Sequence, residues 1–388
     1  MVKIIVHIDL NAFFARCEEI KDPSLEDKPI IVGGKGRRGI VSTCNYVARK
    51  YGIHSAMPTY MARRLCKDVI ICPSDFRFYH QKSTDFMNFV RRYSDIIEIA
   101  SVDECYVDMT DVLKDVKDVE GYFKDFQNKL FEETKLYCSI GIAPTKFLAK
   151  MASDMKKPRG ITILRRRDLA KKLHPLPIDD MWGIGKKNAP KLKEIGILTI
   201  GDLAKSDSYE VKKLLGKFYY VLKDWANGLG DDHVETEPWD PKSIGHSTTL
   251  FEDTSNMEEI ATIFKELSKE VSEEAIKKKK KGTTIQIVIK YSDFKVNNRS
   301  LTINEPTNDF VTIYQTAMKL FEKHYTGDLL RLLGVTLQNL VDEEDIVVQM
   351  SLFNYQKHEE ESATRLLINE LNRRLDKPLF KRASEAKK

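Results

Sequence analysis

Asp103 and Glu104 stand side by side between two apolar runs, Ile96-Ile97-Glu98-Ile99-Ala100 before them and Cys105-Tyr106-Val107 after them. β-branched and aromatic residues make both runs strands. Successive side chains of a regular strand point to opposite faces. The two carboxylates can therefore serve one site only where the chain turns, and a hairpin tip is the natural place. A polar turn between buried strands would look the same, because Asp is a favoured turn residue. A third carboxylate tilts the reading toward chemistry. Val2-Lys3-Ile4-Ile5-Val6-His7-Ile8 is another apolar run, and it leads straight into Asp9. An Asp at the end of a buried strand is costly unless it is paired or bound to metal. Three hard oxygen ligands from two strand ends suit Mg²⁺, which takes a few carboxylates together with substrate phosphates.

The elements around these carboxylates run β-α-β-β-α-β. After the first strand comes an inserted segment, 10–75. A helix over 76–93, the Asp103-Glu104 hairpin, a helix over 118–135 and a strand over 137–143 follow. Val119, Tyr122, Phe123, Phe126, Leu130 and Phe131 form the apolar stripe of the second helix. A further helix (144–153) and strand (161–164) close the unit. This order predicts a ferredoxin-like sheet with helices on one face. In that topology the first and third strands are neighbours, which brings Asp9 to the Asp103-Glu104 tip. Lys156-Lys157-Pro158 lies between the last helix and strand, close enough to reach a phosphate at that end; an exposed basic loop is the alternative. Within the insertion, the glycine-rich loop 33–39 fails the G-x-x-x-x-G-K-[ST] spacing and leads into a strand, so it reads as a hairpin loop. Tyr46 and Arg49 are three apart, on one face of a helix. Arg with a Tyr hydroxyl makes a clamp for phosphate oxygens, and a solvated helix face is the other reading.

Residues 166–230 are helical in pattern and contain Trp182-Gly183-Ile184-Gly185-Lys186-Lys187. A Gly-apolar-Gly turn opening a lysine-rich helix is the pattern of a helix-hairpin-helix. Backbone N–H groups and a helix N-terminus there bind a DNA phosphate without reading sequence. An ordinary helix connection shares the turn. Nine lysines against five acidic residues over 183–230, and a second corner at Ile195-Gly196-Ile197, favour DNA. A polar, proline-bearing linker spans 231–243. Beyond it, 244–340 reads as strand, helix, strand, strand, helix, strand. Lys277 to Lys281 end the first of these helices and complement its dipole; a solvated helix end and a DNA contact both fit them. The segment 341–388 is highly charged apart from Ile346-Val347-Val348-Gln349-Met350-Ser351-Leu352-Phe353, which is either a last strand or a docking peptide for a partner's groove.

Composition sets the outer limits. A chain of 388 residues has room for two to four domains. Hydrophobic content of 42% and charged content of 31% describe an ordinary soluble globular protein. A net charge of +5 is compatible with nucleic acid. The six cysteines are scattered with no C-x-x-C pair, as reduced thiols of a cytoplasmic protein are. No run approaches the roughly 20 apolar residues of a transmembrane helix, so no membrane contact is expected. Residues 1–8 lack the pattern of a signal peptide.

Taken in chain order, His7-Ile8-Asp9-Leu10-Asn11-Ala12-Phe13-Phe14, Ser42-Thr43-Cys44-Asn45-Tyr46-Val47-Ala48-Arg49-Lys50, Ser101-Val102-Asp103-Glu104, Gly141-Ile142-Ala143-Pro144-Thr145-Lys146-Phe147-Leu148-Ala149-Lys150, Lys157-Pro158 and Gly183-Ile184-Gly185 resemble the Y family of translesion DNA polymerases. The resemblance covers residues 1–355. Cys105 stands where the family usually has Ala, and Met350 where Leu is common; neither touches the chemistry. The implied fold is an α+β multidomain right hand. It has a ferredoxin-like palm (1–10 and 76–165), small fingers (11–75), a helical thumb with a helix-hairpin-helix (166–230), a linker (231–243), a βαββαβ little finger (244–340) and a tail (341–388).

The implied activity is template-directed addition of dNMPs to a primer 3′-hydroxyl by two-metal phosphoryl transfer. By the same resemblance, Asp9, Asp103 and Glu104 would hold two Mg²⁺ ions, with the Leu10 carbonyl in one shell. Tyr46, Arg49 and Lys157 would bind the β- and γ-phosphates, with Thr43 beside them and the Phe13 N–H joining them. Phe14 would lie under the deoxyribose as a steric gate, though a core aromatic next to Phe13 would look the same. Gly183, Ile184, Gly185 and Lys186 would contact DNA. Gln349, Met350, Ser351, Leu352 and Phe353 would dock on a sliding clamp. The partners are then primer-template DNA, a dNTP and the clamp, with a monomer as the default state. The fingers look too small to enclose the nascent base pair, and what remains of the chain is too short for an exonuclease domain. Low-fidelity, distributive synthesis is expected.

Two other classes share parts of the pattern. A metal-dependent phosphohydrolase or nucleotide cyclase could carry the same carboxylates on the same sheet, but it has no need of the thumb-like helices or a second DNA-sized domain. A non-catalytic DNA- or clamp-binding accessory protein would be free to lose Asp9, Asp103 and Glu104, and all three are present.

Overall fold

In the computed structural model, which describes residues 2–346, the chain forms two units that divide between Trp239 and Asp240. The first is built on β1 (Ile5–Leu10), which is buried along its whole length. A central strand with both faces covered reads as a continuous apolar run. After β1 the backbone passes through Ala12, whose φ is +48°, and enters α1 (Phe13–Lys21). The insertion that follows is a small sheet of β2 (Ile30–Gly33), β3 (Val41–Cys44) and β4 (Ile70–Cys72) in the order β3-β2-β4. It carries the short helices α2 (Tyr46–Arg49) and α3 (Thr59–Leu65).

The chain then returns to the main sheet through α4 (Phe76–Arg91), β5 (Ile97–Ile99), β6 (Glu104–Asp108), α5 (Val119–Thr134), β7 (Cys138–Ala143), α6 (Lys146–Asp154) and β8 (Ile161–Ile163). Strand order is β5-β6-β1-β7-β8. This is the ferredoxin-like arrangement with a fifth strand, β8, added parallel to β7. β1 and β6 are antiparallel neighbours, with Asp9 opposite Glu104 and His7 opposite Tyr106.

The helices lie on both faces of this sheet, not on one. Val6, Ile8 and Leu10 pack with Phe86, Phe89, Phe123 and Phe126 of α4 and α5. On the other face, Ile5 and Tyr106 pack with Phe147, Leu148 and Met151 of α6. The reason is topological. β7 and β8 are parallel, so their connection must cross over a face, and α4 and α5 fill the first one. Gly141 allows the close approach, because a Cβ there would collide with the Ala149 carbonyl oxygen and the Ser153 backbone nitrogen of α6.

The α6 core continues into α7 (Leu169–Lys172), α8 (Ala189–Glu194), α9 (Ile200–Lys205), α10 (Tyr209–Leu215) and α11 (Phe218–Ala226). Leu169, Leu192, Leu203, Val211 and Leu222 all belong to it. The start of the expected linker is held to this unit. Lys146 Nζ lies 3.0 Å from Glu98 and 2.6 Å from Asp231, and the Glu235 N–H donates to Glu98 Oε2 at 2.8 Å.

The second unit comprises β9 (Ser243–Thr254), α12 (Met257–Lys277), β10 (Lys280–Tyr291), β11 (Val296–Thr307), α13 (Phe310–His324) and β12 (Leu330–Asp342). Its element order repeats that of the main sheet, but its strands run β11-β10-β12-β9. α12 and α13 cover one face, with Phe264, Val271 and Phe321 against Ile285, Ile287 and Val335. Four of the five lysines of the run form ion pairs within their own unit, though only Lys280 is buried. Lys278 pairs with Glu274, Lys279 with Glu344, Lys280 with Asp240 and Asp342, and Lys281 with Glu343. Lys280 and Lys281 open β10 rather than ending the helix. Among the described residues no helix is long and apolar enough to cross a membrane.

Candidate active site

Period-two alternation puts His7 and Asp9 of β1 and Glu104 of β6 on the α6 face of the sheet. One ligand atom from each of these three lies within 4.8 Å of the others. Asp9 is 8% exposed. Two carboxylates this close in a partly buried place repel unless cations compensate them, and α6 and the loop after it supply two. Lys150 Nζ bridges Asp9 Oδ2 at 3.0 Å and Glu104 Oε2 at 2.7 Å. Lys157 Nζ reaches Asp9 Oδ1 at 2.8 Å and Asp154 at 2.7 Å. Burial works against both ammonium groups, but Asp9 and Asp154 more than offset it, with Glu104 adding to the effect on Lys150, and both pKa values are raised.

His7 is fully buried beneath Glu104, with Nε2 3.3 Å from Glu104 Oε2 and Nδ1 2.8 Å from Ser153 Oγ. His7 first, and Lys150 after it, hold the Glu104 carboxyl well below the usual carboxylate range, against its burial. Asp103 lies outside the His7-Asp9-Glu104 group. It occupies the bend before β6, where the Ser101 hydroxyl donates to its Oδ1 at 2.6 Å and turns the carboxylate locally. Burial pushes the Asp103 carboxyl up, and the charges of Asp9 and Glu104 add to the rise, so it lies within their field. The Asp103 carbonyl accepts from the Leu10 N–H at 2.9 Å, which locks the bend onto the end of β1.

The phosphate-clamp residues come from three places. Asn45 caps α2 through the Ala48 N–H and ties it to β2 through the Ile30 N–H. Arg49 then lies over the Tyr46 ring at 4.8 Å and donates from Nε to the Cys44 carbonyl at 3.2 Å. Burial raises the Tyr46 hydroxyl, and that hydroxyl feels Arg49, Lys157, Asp9 and Asp154. The Tyr46-Arg49 pair of the insertion thus shares one electrostatic neighbourhood with Lys157 and Asp9. Thr43 is half-buried on β3 opposite Val32. The Phe13 ring is buried, while its N–H opens α1, a helix start with no side-chain cap. Phe14 is half-buried, and its ring stacks on Tyr79 at 4.5 Å and 15°.

The Gly183-Ile184-Gly185 turn is separate from this cluster in the chain. Gly183 has φ +94°, a left-handed conformation that suits glycine, and Ile184 is buried in the α6–α11 core. Lys186 lies in the turn before α8 rather than inside a helix. Trp182 stacks on Trp225, and Trp225 on Phe147, which braces the turn against α6. Gln349, Met350, Ser351, Leu352 and Phe353 lie outside the described residues.

The model of the impB/mucB/samB family matches residues 8–154, that of the family's C-terminal domain residues 241–352, and that of the IMS family HHH motif residues 166–197. DNA polymerase IV of Bacillus velezensis is 42% identical across 100% of this chain and 94% of its own. The chain belongs to the Y family of DNA polymerases. DNA polymerase IV 1 of Bacillus subtilis is 41% identical over the same shares. Among solved structures, a Y-family polymerase chimera of Dbh and Dpo4 superposes with a TM-score of 0.77 at 27% identity. It covers 87% of this chain and 99% of its own. DinB from Sulfolobus solfataricus gives 0.58 at 27% identity over the same shares.

Three residues of this polymerase site carry no role in the motif reading. Lys150 follows Lys146 by four positions on α6, so both amines fall on one helix side, and that spacing was the available signal. His7 and Tyr79 look like core residues in sequence. Only strand register and ring stacking connect them to Glu104 and Phe14.

Proposed function

We propose that this Y-family DNA polymerase extends a DNA primer by template-directed translesion synthesis at the Asp9-Glu104 cluster. The observation that carries the reading is the register of β1 against β6. It sets two carboxylates opposite each other at the sheet end, with Lys157 beside them and Tyr46 within the same field. Positioning and charge neutralisation, rather than covalent help, are what phosphoryl transfer needs.

Asp9, Glu104 and Asp103 offer the all-oxygen donors that Mg²⁺ prefers, and a divalent cation would take over the charge compensation that Lys150 and Lys157 give Asp9 and Glu104. They are the residues that would hold two Mg²⁺ ions, with the Leu10 carbonyl beside them. When bound, Mg²⁺ makes the primer 3′-hydroxyl more acidic and neutralises charge on the triphosphate. Lys157, Arg49 and the Tyr46 hydroxyl grip the β- and γ-phosphates and stabilise charge that develops on them. Thr43 lies close to that clamp in the chain. The uncapped start of α1 offers the Phe13 N–H to the same phosphates. Phe14, braced by Tyr79, lies against the deoxyribose. Gly183, Ile184, Gly185 and Lys186 hold a DNA phosphate through backbone N–H groups and one ammonium. The peptide from Gln349 to Phe353 docks on a sliding clamp, and one chain acts alone on its primer-template in the cytoplasm.

The test is extension of a primed template by the full chain with Mg²⁺ and four dNTPs. Template-dependent growth of the primer is expected. Hydrolysis or cyclisation of nucleotides without primer growth would favour a small-molecule enzyme instead.

A further inference from the structure

Lys157 sits on a turn that is fixed two residues later, at Arg159. The Arg159 peptide is gripped at both ends. Its N–H donates to Asn11 Oδ1 at 2.7 Å, and its carbonyl accepts from Gln127 Nε2 at 3.1 Å. Each gripping amide is itself anchored. Asn11 Nδ2 donates to Ser139 Oγ at 2.9 Å, and the Asn11 N–H donates to the Tyr137 carbonyl at 2.7 Å. Gln127 Nε2 also donates to the Cys138 carbonyl at 2.9 Å. Asn11 and Gln127 are each 5% exposed, and Ser139 is fully buried. Arg159 has φ +60°, a region that non-glycine residues enter only when their surroundings hold them there. Its guanidinium lies over the Tyr137 ring at 4.6 Å, on the strand side of the same turn.

We propose that Asn11 and Gln127 are positioning residues for the incoming triphosphate: by clamping the Arg159 peptide they hold the Lys157 ammonium at the phosphate end of the site. This rests on the reading of Lys157 as a phosphate ligand. Asn11 directly follows the Asp9-Leu10 pair and joins it to a loop 148 positions away. It therefore couples the carboxylate end of β1 to the Lys157 ammonium. The orientation of the Asn11 amide follows from its partners, since Oδ1 must face an N–H and Nδ2 must face the Ser139 hydroxyl. Removing Oδ1 leaves the part-buried Arg159 N–H without its partner and takes away one of the two side-chain amides that grip the turn. The turn then relaxes, and Lys157 leaves Asp9.

The experiment is single-nucleotide incorporation by the full chain on a primed template across a dNTP series. DNA affinity and melting temperature are measured alongside. Asn11→Leu keeps the size and removes both amide contacts. The dNTP KM is expected to rise about tenfold or more with kcat changed less than roughly threefold and DNA affinity unchanged. Asn11→Asp restores an acceptor for the Arg159 N–H, and the Ser139 hydroxyl can donate to its second oxygen. Its KM should stay within roughly twofold of wild type. Gln127→Met should raise KM in the same direction and gives a second route if Asn11→Leu folds poorly. On a Lys157→Ala background, Asn11→Leu should add nothing further to KM, because residues acting through one group are not additive. A wild-type KM in both Asn11→Leu and Gln127→Met, or a full additive rise over Lys157→Ala, overturns the proposal while leaving Lys157 as a phosphate ligand. A wild-type KM in Lys157→Ala itself overturns that reading and the proposal with it.

Discussion

Phe14 follows Asp9 by five residues, and its ring does not stand free. It stacks on Tyr79 at 4.5 Å, meets the Phe76 edge at 6.0 Å and touches Phe13 at 5.4 Å. Tyr79 is 2% exposed, and its hydroxyl donates to Glu18 Oε1 at 2.7 Å. The ring therefore has a fixed backing, so that a sugar lying against it, as proposed, would meet a firm wall. A wall of this kind accepts deoxyribose and rejects ribose by steric exclusion. Phe14→Val removes the ring and opens space at the sugar. Discrimination against ribonucleotides should fall by roughly 10²-fold, or about 3 kcal/mol in relative transition-state stability. The same change costs stability. The lost stack contributes about 0.5–1.5 kcal/mol, and a half-buried ring loses about 1 kcal/mol more in transfer. The assay is kcat/KM for dCTP and for CTP opposite template G, in wild type and Phe14→Val, with melting temperatures beside them. The dCTP value should survive, since Asp9, Glu104 and Lys157 are untouched, while the CTP value rises. Tyr79→Leu, which removes only the backing, should relax the ratio less. An unchanged ratio with a lowered melting temperature would refute the gate and leave Phe14 as packing.

Other expectations concern the rest of the chain. Deleting residues 349–388 should spare basal extension and remove stimulation by a sliding clamp; equal stimulation of the truncated chain would put the contact elsewhere. Gly141→Ala drives a methyl into the α6 backbone and should cost about 3 kcal/mol, read as a lowered denaturation midpoint; a neutral outcome would mean that α6 can shift away from β7. Lys146→Ala should free the segment around Asp231 and Glu235 at a cost of about 1–2 kcal/mol. Faster hydrogen exchange at the Glu235 N–H would show it, and unchanged exchange would mean that Val234 burial, the Glu98 carboxylate and the Lys146 backbone N–H on the Asp231 carbonyl hold the segment without the ammonium.

The carboxylate-bearing core of the fold was legible because its signals are local. An uninterrupted apolar run ending in Asp9, and two strand-like runs flanking Asp103 and Glu104, lead directly to the β1–β6 pairing. Less local features were harder to read. The helix over 144–153, which is α6, is expected from its sequence on the same face as the others, and only the parallel pairing of β7 with β8 sends it to the opposite one. The second unit repeats the element order of the first yet orders its strands differently, because element order does not determine which strands pair. At the site, sequence spacing groups Asp103 with Glu104 as neighbours. The Ser101 hydroxyl holds the Asp103 carboxylate in the bend before β6, within the field of Asp9 and Glu104, and strand alternation adds His7 under Glu104, which spacing does not show. Lys277 to Lys281 show the same limit: a run of one charge in sequence says nothing of the acidic residues that β12 and the turn after it bring to meet it.

The most direct test of the metal-site assignment is the single-turnover rate of nucleotide addition by Asp103→Ala beside wild type, with Mg²⁺, saturating dNTP and a measured affinity for the primed template. Asp103 lies outside the His7-Asp9-Glu104 group but within the field of Asp9 and Glu104, so its removal is the most demanding test of the proposed set. A rate lowered by roughly 10³-fold or more, with DNA affinity unchanged, is the expected result. Extension by Asp103→Ala at the wild-type rate would contradict the assignment of Asp9, Asp103 and Glu104 as one metal-binding set.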